Sequence, residues 1–276
     1  MLSEIGLFVD SCGRGPGKVR DNLIKGLEKL GVKVFHNEEK FHTGWLHGIP
    51  PLNAPENWLI GPNTFVIPTD LHPSFWKRCP RNVVTPAKWT TDLYSNYISS
   101  PHKIYTWAVG IDTERFVPSD NKTNDCLIYV KGDPFNLKDN LIEKLGDLSL
   151  SYEQIEYGSY QEEELIEKAQ ASRFCVTLTR TESQGIAYQE ILSMNVPCYI
   201  VDKPTWDDRP GVSAGSSSAP YFDDRCGVKT SNLSSLDFFV DHLQNYKPRE
   251  YILENLTLEK CASEYLLIME KSNENS

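Results

Sequence analysis

Short apolar, β-branched runs alternate with longer segments of helical spacing along most of the chain, and this alternation constrains the fold more than any other feature of the sequence. IGLFVD (5–10) reads as a buried strand. Glycines follow, and KVRDNLIKGLEKL (18–30) then carries Val19, Leu23, Leu27 and Leu30 at helical spacing, with Gly31 closing the helix before the strand VKVF (32–35). FVIPTD (65–70), NVVTP (82–86) and KIYTWAV (103–109) are further strand candidates. After the polar stretch SDNKTND (119–125) the pattern restarts. CLIYVK (126–131), a strand ending in QIEYG (154–158), RFCVTLTR (173–180) and VPCYIVD (197–202) read as strands. Residues 136–148, 161–170 and 185–195 read as helices.

Strands that are apolar throughout, separated by helices, predict parallel sheets covered on both faces. The restart predicts two such units with a cleft between them: residues 1–112, residues 113–250, and a C-terminal helical segment 251–276 packing back on the first unit. The segment 203–225, with SAGSSSAP inside it, is expected to be a long mobile loop. Residues 234–271 read as two helices divided near Pro248, and 36–64, rich in Pro, Asn and Trp, has no readable pattern.

Composition removes several functional classes. The 276 residues are 39% apolar and 24% charged, as in ordinary globular proteins. Mean hydropathy is -0.42, and no stretch approaches the roughly 20 unbroken apolar residues that cross a bilayer. The N-terminal MLSEIGLFVDSCG has an acidic residue where a signal peptide has a basic one. Seven cysteines without a CxxC pair argue against a disulfide framework and against zinc, so a reduced, cytoplasmic protein is expected. Net charge is -10, unevenly spread. Residues 1–112 hold 12 basic and 10 acidic side chains, and residues 113–276 hold 16 and 28. Neither part has the basic footprint of a nucleic-acid or anionic-membrane binder. A polyanionic ligand of the second part must therefore be held by local groups.

Three places could supply such groups. Cys12-Gly13-Arg14-Gly15-Pro16-Gly17-Lys18 follows a strand and opens a helix, so backbone N–H groups there can approach an anion, although the spacing matches neither GxGxxG nor a P-loop. Lys131 and Lys138 flank the loop GDPFNL between a strand and a helix, where two ammonium groups suit a pyrophosphate. In Glu182-Ser183-Gln184-Gly185-Ile186-Ala187-Tyr188-Gln189-Glu190 a strand ends, Gly185 lets the backbone come close to a ligand, and a helix begins. The two acids can grip opposite ends of an extended, hydroxyl-bearing ligand.

Together, Glu182, Ser183, Gly185, Ile186 and Glu190, followed by MNVPCYIVD, resemble the E-x(7)-E signature of the retaining glycosyltransferases of family four, including compact virus-encoded members. GIDTERFVP (110–118) is similar to that family's interdomain linker. The order of VVTPAKWTTDLY, this linker, YVK with its following lysine, and the E-x(7)-E helix also fits. The resemblance implies an α/β fold of GT-B type, two Rossmann-like domains with parallel sheets facing a central cleft. It implies a nucleoside diphosphate sugar held mainly by the C-terminal half, with GDP-mannose the first donor to consider and UDP-glucose the next. Under it, Glu182 binds donor-sugar hydroxyls, aided by the amides of Ser183, Gln184, Gly185 and Ile186. Glu190 binds the ribose, Lys131 and Lys138 hold the pyrophosphate with help from Gly13, Arg14 and Gly15, and His72 in TDLHP lies beside the reacting sugar. The family usually has Arg where this chain has Lys131, which loses a bidentate fork.

The implied chemistry is metal-independent front-face transfer, with no cofactor, to an acceptor the sequence leaves open: a glycan, a protein or a small molecule. Association into a homodimer is equally open. Two other readings stand beside it. One is an NAD-dependent oxidoreductase using the first strand, the glycine turn and Glu38 or Glu39 on a ribose. The other is a non-catalytic nucleotide-sugar or glycan-binding protein. Trp45 and Trp58, if exposed, suit a sugar acceptor.

Overall fold

The run at the start of the sequence forms β1 (Glu4–Phe8), with Ile5 and Leu7 fully buried. The computed structural model describes residues 2–9, 13–51, 53–63, 68, 73–77, 80–98 and 102–273. It separates into two units, residues 1–110 with 256–276, and residues 111–255. After β1 come α1 (Arg14–Lys29), β2 (Lys33–His36), β3 (Thr43–His47), β4 (Leu59–Asn63), α2 (Pro73–Trp76), β5 (Asn82–Thr85), α3 (Lys88–Tyr97) and β6 (Lys103–Thr106). The six strands make one parallel sheet in the order β2-β1-β3-β4-β5-β6. β3 and β4 come from the stretch whose sequence has no readable pattern. The strand expected over 65–70 falls almost wholly outside the described residues. Trp58 is 4% exposed, and its ring, that of Phe8 and that of Trp45 form one cluster with centroids 4.9 Å (Phe8–Trp58), 5.3 Å (Phe8–Trp45) and 6.1 Å (Trp45–Trp58) apart. Trp58 is thus a core residue, and of the two tryptophans only the half-buried Trp45 keeps appreciable exposed surface for an acceptor.

The second unit contains β7 (Asn124–Lys131), α4 (Lys138–Asp147), β8 (Tyr152–Glu156), α5 (Glu162–Ala171), β9 (Ser172–Thr179), α6 (Ile186–Ser193), β10 (Cys198–Val201), β11 (Thr205–Arg209), β12 (Val212–Gly215), β13 (Gly227–Thr230), α7 (Leu236–Asp241) and α8 (Pro248–Asn255). Its main sheet is parallel, in the order β13-β10-β9-β7-β8. Ile128 and Val130 of β7, Val176 and Leu178 of β9, and Val201 of β10 pack against Leu141 and Leu145 of α4 and Phe239 of α7. Continuous apolar strands are what such two-sided burial requires.

The segment 203–225 is not an open loop. β11 and β12 pair antiparallel around a Pro210-Gly211 turn. The serines that follow are tied to the ends of the main strands. Asp202 accepts from the Ser217 hydroxyl at 3.0 Å and the Ser218 amide at 2.7 Å, and the Ser218 hydroxyl donates to the Thr179 carbonyl at 3.1 Å. The composition resembles a mobile linker because these partners lie far away in sequence.

The chain then returns to the first unit as α9 (Leu258–Asn273). The tail therefore holds α7, α8 and α9 rather than two helices, and Pro248 opens α8, where its missing N–H costs nothing. α9 lies close on α1: a Cβ added at Gly26 would stand 2.4 Å from the Leu258 carbonyl oxygen. The Trp107 indole N–H donates to the Cys261 carbonyl at 2.7 Å, and Lys29 pairs with Glu259 at 3.2 Å.

Candidate functional site

In the second unit the strand order reverses at β7, whose neighbours are β8 on one side and β9 on the other. Crevices at the carboxyl ends of strands flanking such a reversal are where open parallel sheets bind ligands. Lys131 ends β7 and is in register with Thr179, the last residue of β9. Three residues beyond Thr179, Glu182 reaches back to Lys131: its two carboxylate oxygens lie 2.8 and 2.9 Å from the ammonium nitrogen. The Glu182 side chain is 9% exposed and that of Lys131 34%. Burial pushes the Glu182 carboxyl above its ordinary pKa, and the Lys131 charge pulls it back. A carboxylate this desolvated needs such a partner. Its amide donates to the Ser217 carbonyl at 2.9 Å, and the Tyr157 ring, at the end of β8, lies 4.5 Å from the Lys131 ammonium.

Gly185 sets the start of α6. It has φ +73°, and a Cβ there would fall 2.0 Å from the Tyr188 ring, so a side chain is excluded twice over. The Tyr188 hydroxyl fixes the neighbouring loop by accepting from the Tyr221 amide at 3.1 Å. The Gln189 side-chain amide donates to the Gln184 carbonyl at 2.5 Å. Ser183 is exposed, Gln184 and Gly185 are buried, and Ile186 is half-buried. Glu190, on the second turn of α6, is 1% exposed. Both acids of the E-x(7)-E pattern are therefore buried polar groups, not solvated helix surface.

Lys138 is the first residue of α4, and its amide donates to Asp133 at 2.8 Å. A cation at a helix N-terminus opposes the helix dipole, and an anionic ligand there would relieve both. In the first unit, Gly13 caps α1 in an extended conformation. Cβ atoms built at Gly13 and Gly15 would meet nothing within 4 Å. The Arg14 side chain and all of His72 lie outside the described residues. Glu38 and Glu39, either of which an NAD site would use, are both exposed, and Glu38 is paired with Lys40.

Several contributors escaped the sequence reading: Tyr157, Ser217 and Arg180, the last immediately after β9. Their signal is position at a strand's carboxyl end. Among the described residues, no group of three or more His, Cys, Asp or Glu side chains could hold a metal ion. No helix among them is long and apolar enough to cross a membrane.

No protein-family model and no curated protein matches this sequence. Solved structures do. A sucrose-phosphate synthase from Thermosynechococcus elongatus is similar over 99% of this chain and 100% of its own, with TM-score 0.56 and 11% identity. Anabaena Alr3699/HepE in complex with UDP and glucose matches over 98% and 100%, with TM-score 0.57 and 8% identity. An α-glucosyltransferase in complex with UDP and a 13-mer DNA matches over 97% and 99%, with TM-score 0.53 and 9% identity. The likeness is one of fold. It shows the expected α/β class, with parallel sheets shared with glycosyltransferases of GT-B type.

Proposed function

We propose that this protein is a retaining glycosyltransferase that moves a hexose from a nucleoside diphosphate sugar to an acceptor. The observation that carries the reading is the ion pair of buried Glu182 with half-buried Lys131 at the strand-order reversal, with Glu190 buried on the helix that follows. In the reaction the bond from the sugar's anomeric carbon to the diphosphate breaks, and a bond to the acceptor oxygen forms on the same face. The leaving phosphate takes the acceptor's proton. Positive charge grows on the sugar and negative charge on the diphosphate. Lys131 and Lys138 stand where they can meet the negative charge, and removing one such preorganised contact typically costs about 100- to 1000-fold in rate. Glu182 receives hydroxyls of the donor sugar beside the amides of residues 183–186, and Glu190 receives the ribose. The reading invokes no resident metal or cofactor.

GDP-mannose and UDP-glucose are the two donors to try. The UDP in two of the structures of similar fold favours the uridine donor. Calorimetric titration of the full chain against both donors tests the reading directly. Wild type is expected to give a saturable heat with at least one of them. Glu190→Gln, which keeps the volume of a buried side chain, and Lys138→Ala, on a partly exposed one, are expected to abolish it with the fold intact. Folded protein that gives no heat with any nucleotide sugar would refute the donor site. Donor binding with neither transfer nor slow donor hydrolysis would make the chain a non-catalytic nucleotide-sugar-binding protein.

A further inference from the structure

The Arg180 guanidinium sits otherwise than those of five other arginines. Arg81, Arg115, Arg173, Arg225 and Arg249 each donate a side-chain hydrogen bond, at 2.9, 2.8, 2.8, 2.8 and 2.9 Å. The Arg180 side chain is 61% exposed, and its ion-pair partner Asp208, on the β11–β12 hairpin, stands 3.7 Å away, too far for a hydrogen bond. Its place in the fold is specific. Arg180 directly follows β9, and its amide faces the Lys131 carbonyl at 3.4 Å. Its arm lies along the β7–α4 loop, where a Cβ built on Gly132 would be 3.3 Å from the Arg180 Nε and 3.5 Å from Cγ and Cδ. A side chain at position 132 would press on that arm. The guanidinium is thus held beside the loop that Lys131 and Lys138 flank, at the same strand-order reversal, in a part of the chain where acids outnumber bases.

We propose that Arg180 is a third cation of the diphosphate site and supplies, from the end of β9, the planar fork that Lys131 lacks. The proposal rests on the donor-site reading above. A guanidinium presents parallel N–H donors that match two phosphate oxygens, whereas an ammonium acts as a point charge. Lys131 is already committed to Glu182 at 2.8 Å, which leaves Lys138 as the one ammonium free of that pair, and a further cation lets the site meet a dianion without stripping Glu182 of its partner. Asp208 competes weakly with the phosphate for Arg180, and the hairpin is thereby coupled to donor occupancy.

Titration of the full chain with UDP, GDP, UMP and GMP, for wild type, Arg180→Gln, Arg180→Lys and Asp208→Asn, tests this. Loss of one charge-assisted contact corresponds to roughly a tenfold to hundredfold rise in Kd. Arg180→Gln is expected to weaken the preferred nucleoside diphosphate by about that factor and the monophosphate much less. Arg180→Lys is expected to recover only part of the loss, and Asp208→Asn to tighten diphosphate binding. The thermal unfolding midpoint of these exposed-site variants should stay that of wild type. Arg180→Gln binding the diphosphate as tightly as wild type would overturn the role of Arg180 and leave the donor site standing. Wild type that binds none of the four nucleotides would overturn the donor site itself, and Arg180 with it.

Discussion

Glu182 is held between two opposing influences. Burial raises its pKa and the Lys131 ammonium opposes the rise. A carboxyl whose folded pKa lies above its unfolded value binds protons more tightly in the native state. It contributes stability that is fully present below the unfolded value and is lost as pH rises through the folded one. Above that range the native state carries a desolvated charge. Glu182→Gln is therefore expected to raise the thermal unfolding midpoint at pH 8, with the advantage shrinking as pH falls toward 4, while donor binding is lost. Unfolding scans at both pH values check this, and a lower midpoint at pH 8 would show that the ion pair outweighs the desolvation. Much of the local structure around these residues was legible in the sequence. The spacing of Glu182, Gly185 and Glu190 marks a strand–turn–helix, and Lys131 follows an apolar run. The pairing of Lys131 with Glu182 was not legible, because the two are 51 residues apart and only the parallel register of β7 with β9 brings them together. Arg180 was missed because an exposed arginine after a strand looks like any polar stop.

At the scale of elements, the turn before α6 shows how little freedom the site's backbone has. Gly185→Ala places a methyl group against the Tyr188 ring in a left-handed conformation. The strain of such a residue is about 1–3 kcal/mol, and urea unfolding should show a loss of at least that size together with weaker donor binding. A variant as stable as wild type would mean that the turn can relax. Elements were legible where burial is two-sided and uninterrupted, as in β7, β9 and β10. β3 and β4 were not, because Gly44, Gly61 and Pro62 break the β-branched pattern; Gly44 lies so close to Tyr265 that a Cβ there would stand 2.4 Å from its hydroxyl oxygen. The β11–β12 hairpin carried a usable signal, Pro210-Gly211 between two short runs. The serines after it concealed the signal, since their hydrogen bonds to Asp202 and Thr179 are tertiary.

At the scale of the whole molecule, the first unit is assembled from both ends of the sequence. α1 and α9 meet at Gly26, where any side chain would strike the Leu258 carbonyl. Gly26→Val is expected to loosen α9 and residues 1–110 while sparing residues 111–255, which amide hydrogen exchange followed segment by segment would read out. Uniform loss of protection in both units would contradict the independence of their cores. Unfolding of the wild-type chain need not be a single transition for the same reason.

The return of α9 also fixes a schedule for biosynthesis. A ribosome making this polypeptide has delivered every residue of the inner unit once Asn255 has emerged, and that unit can close at once. The opening strands, translated first, must wait with one flank of their layer bare until residues 258–273 follow. The unit whose strands come before the inner one is thus completed after it.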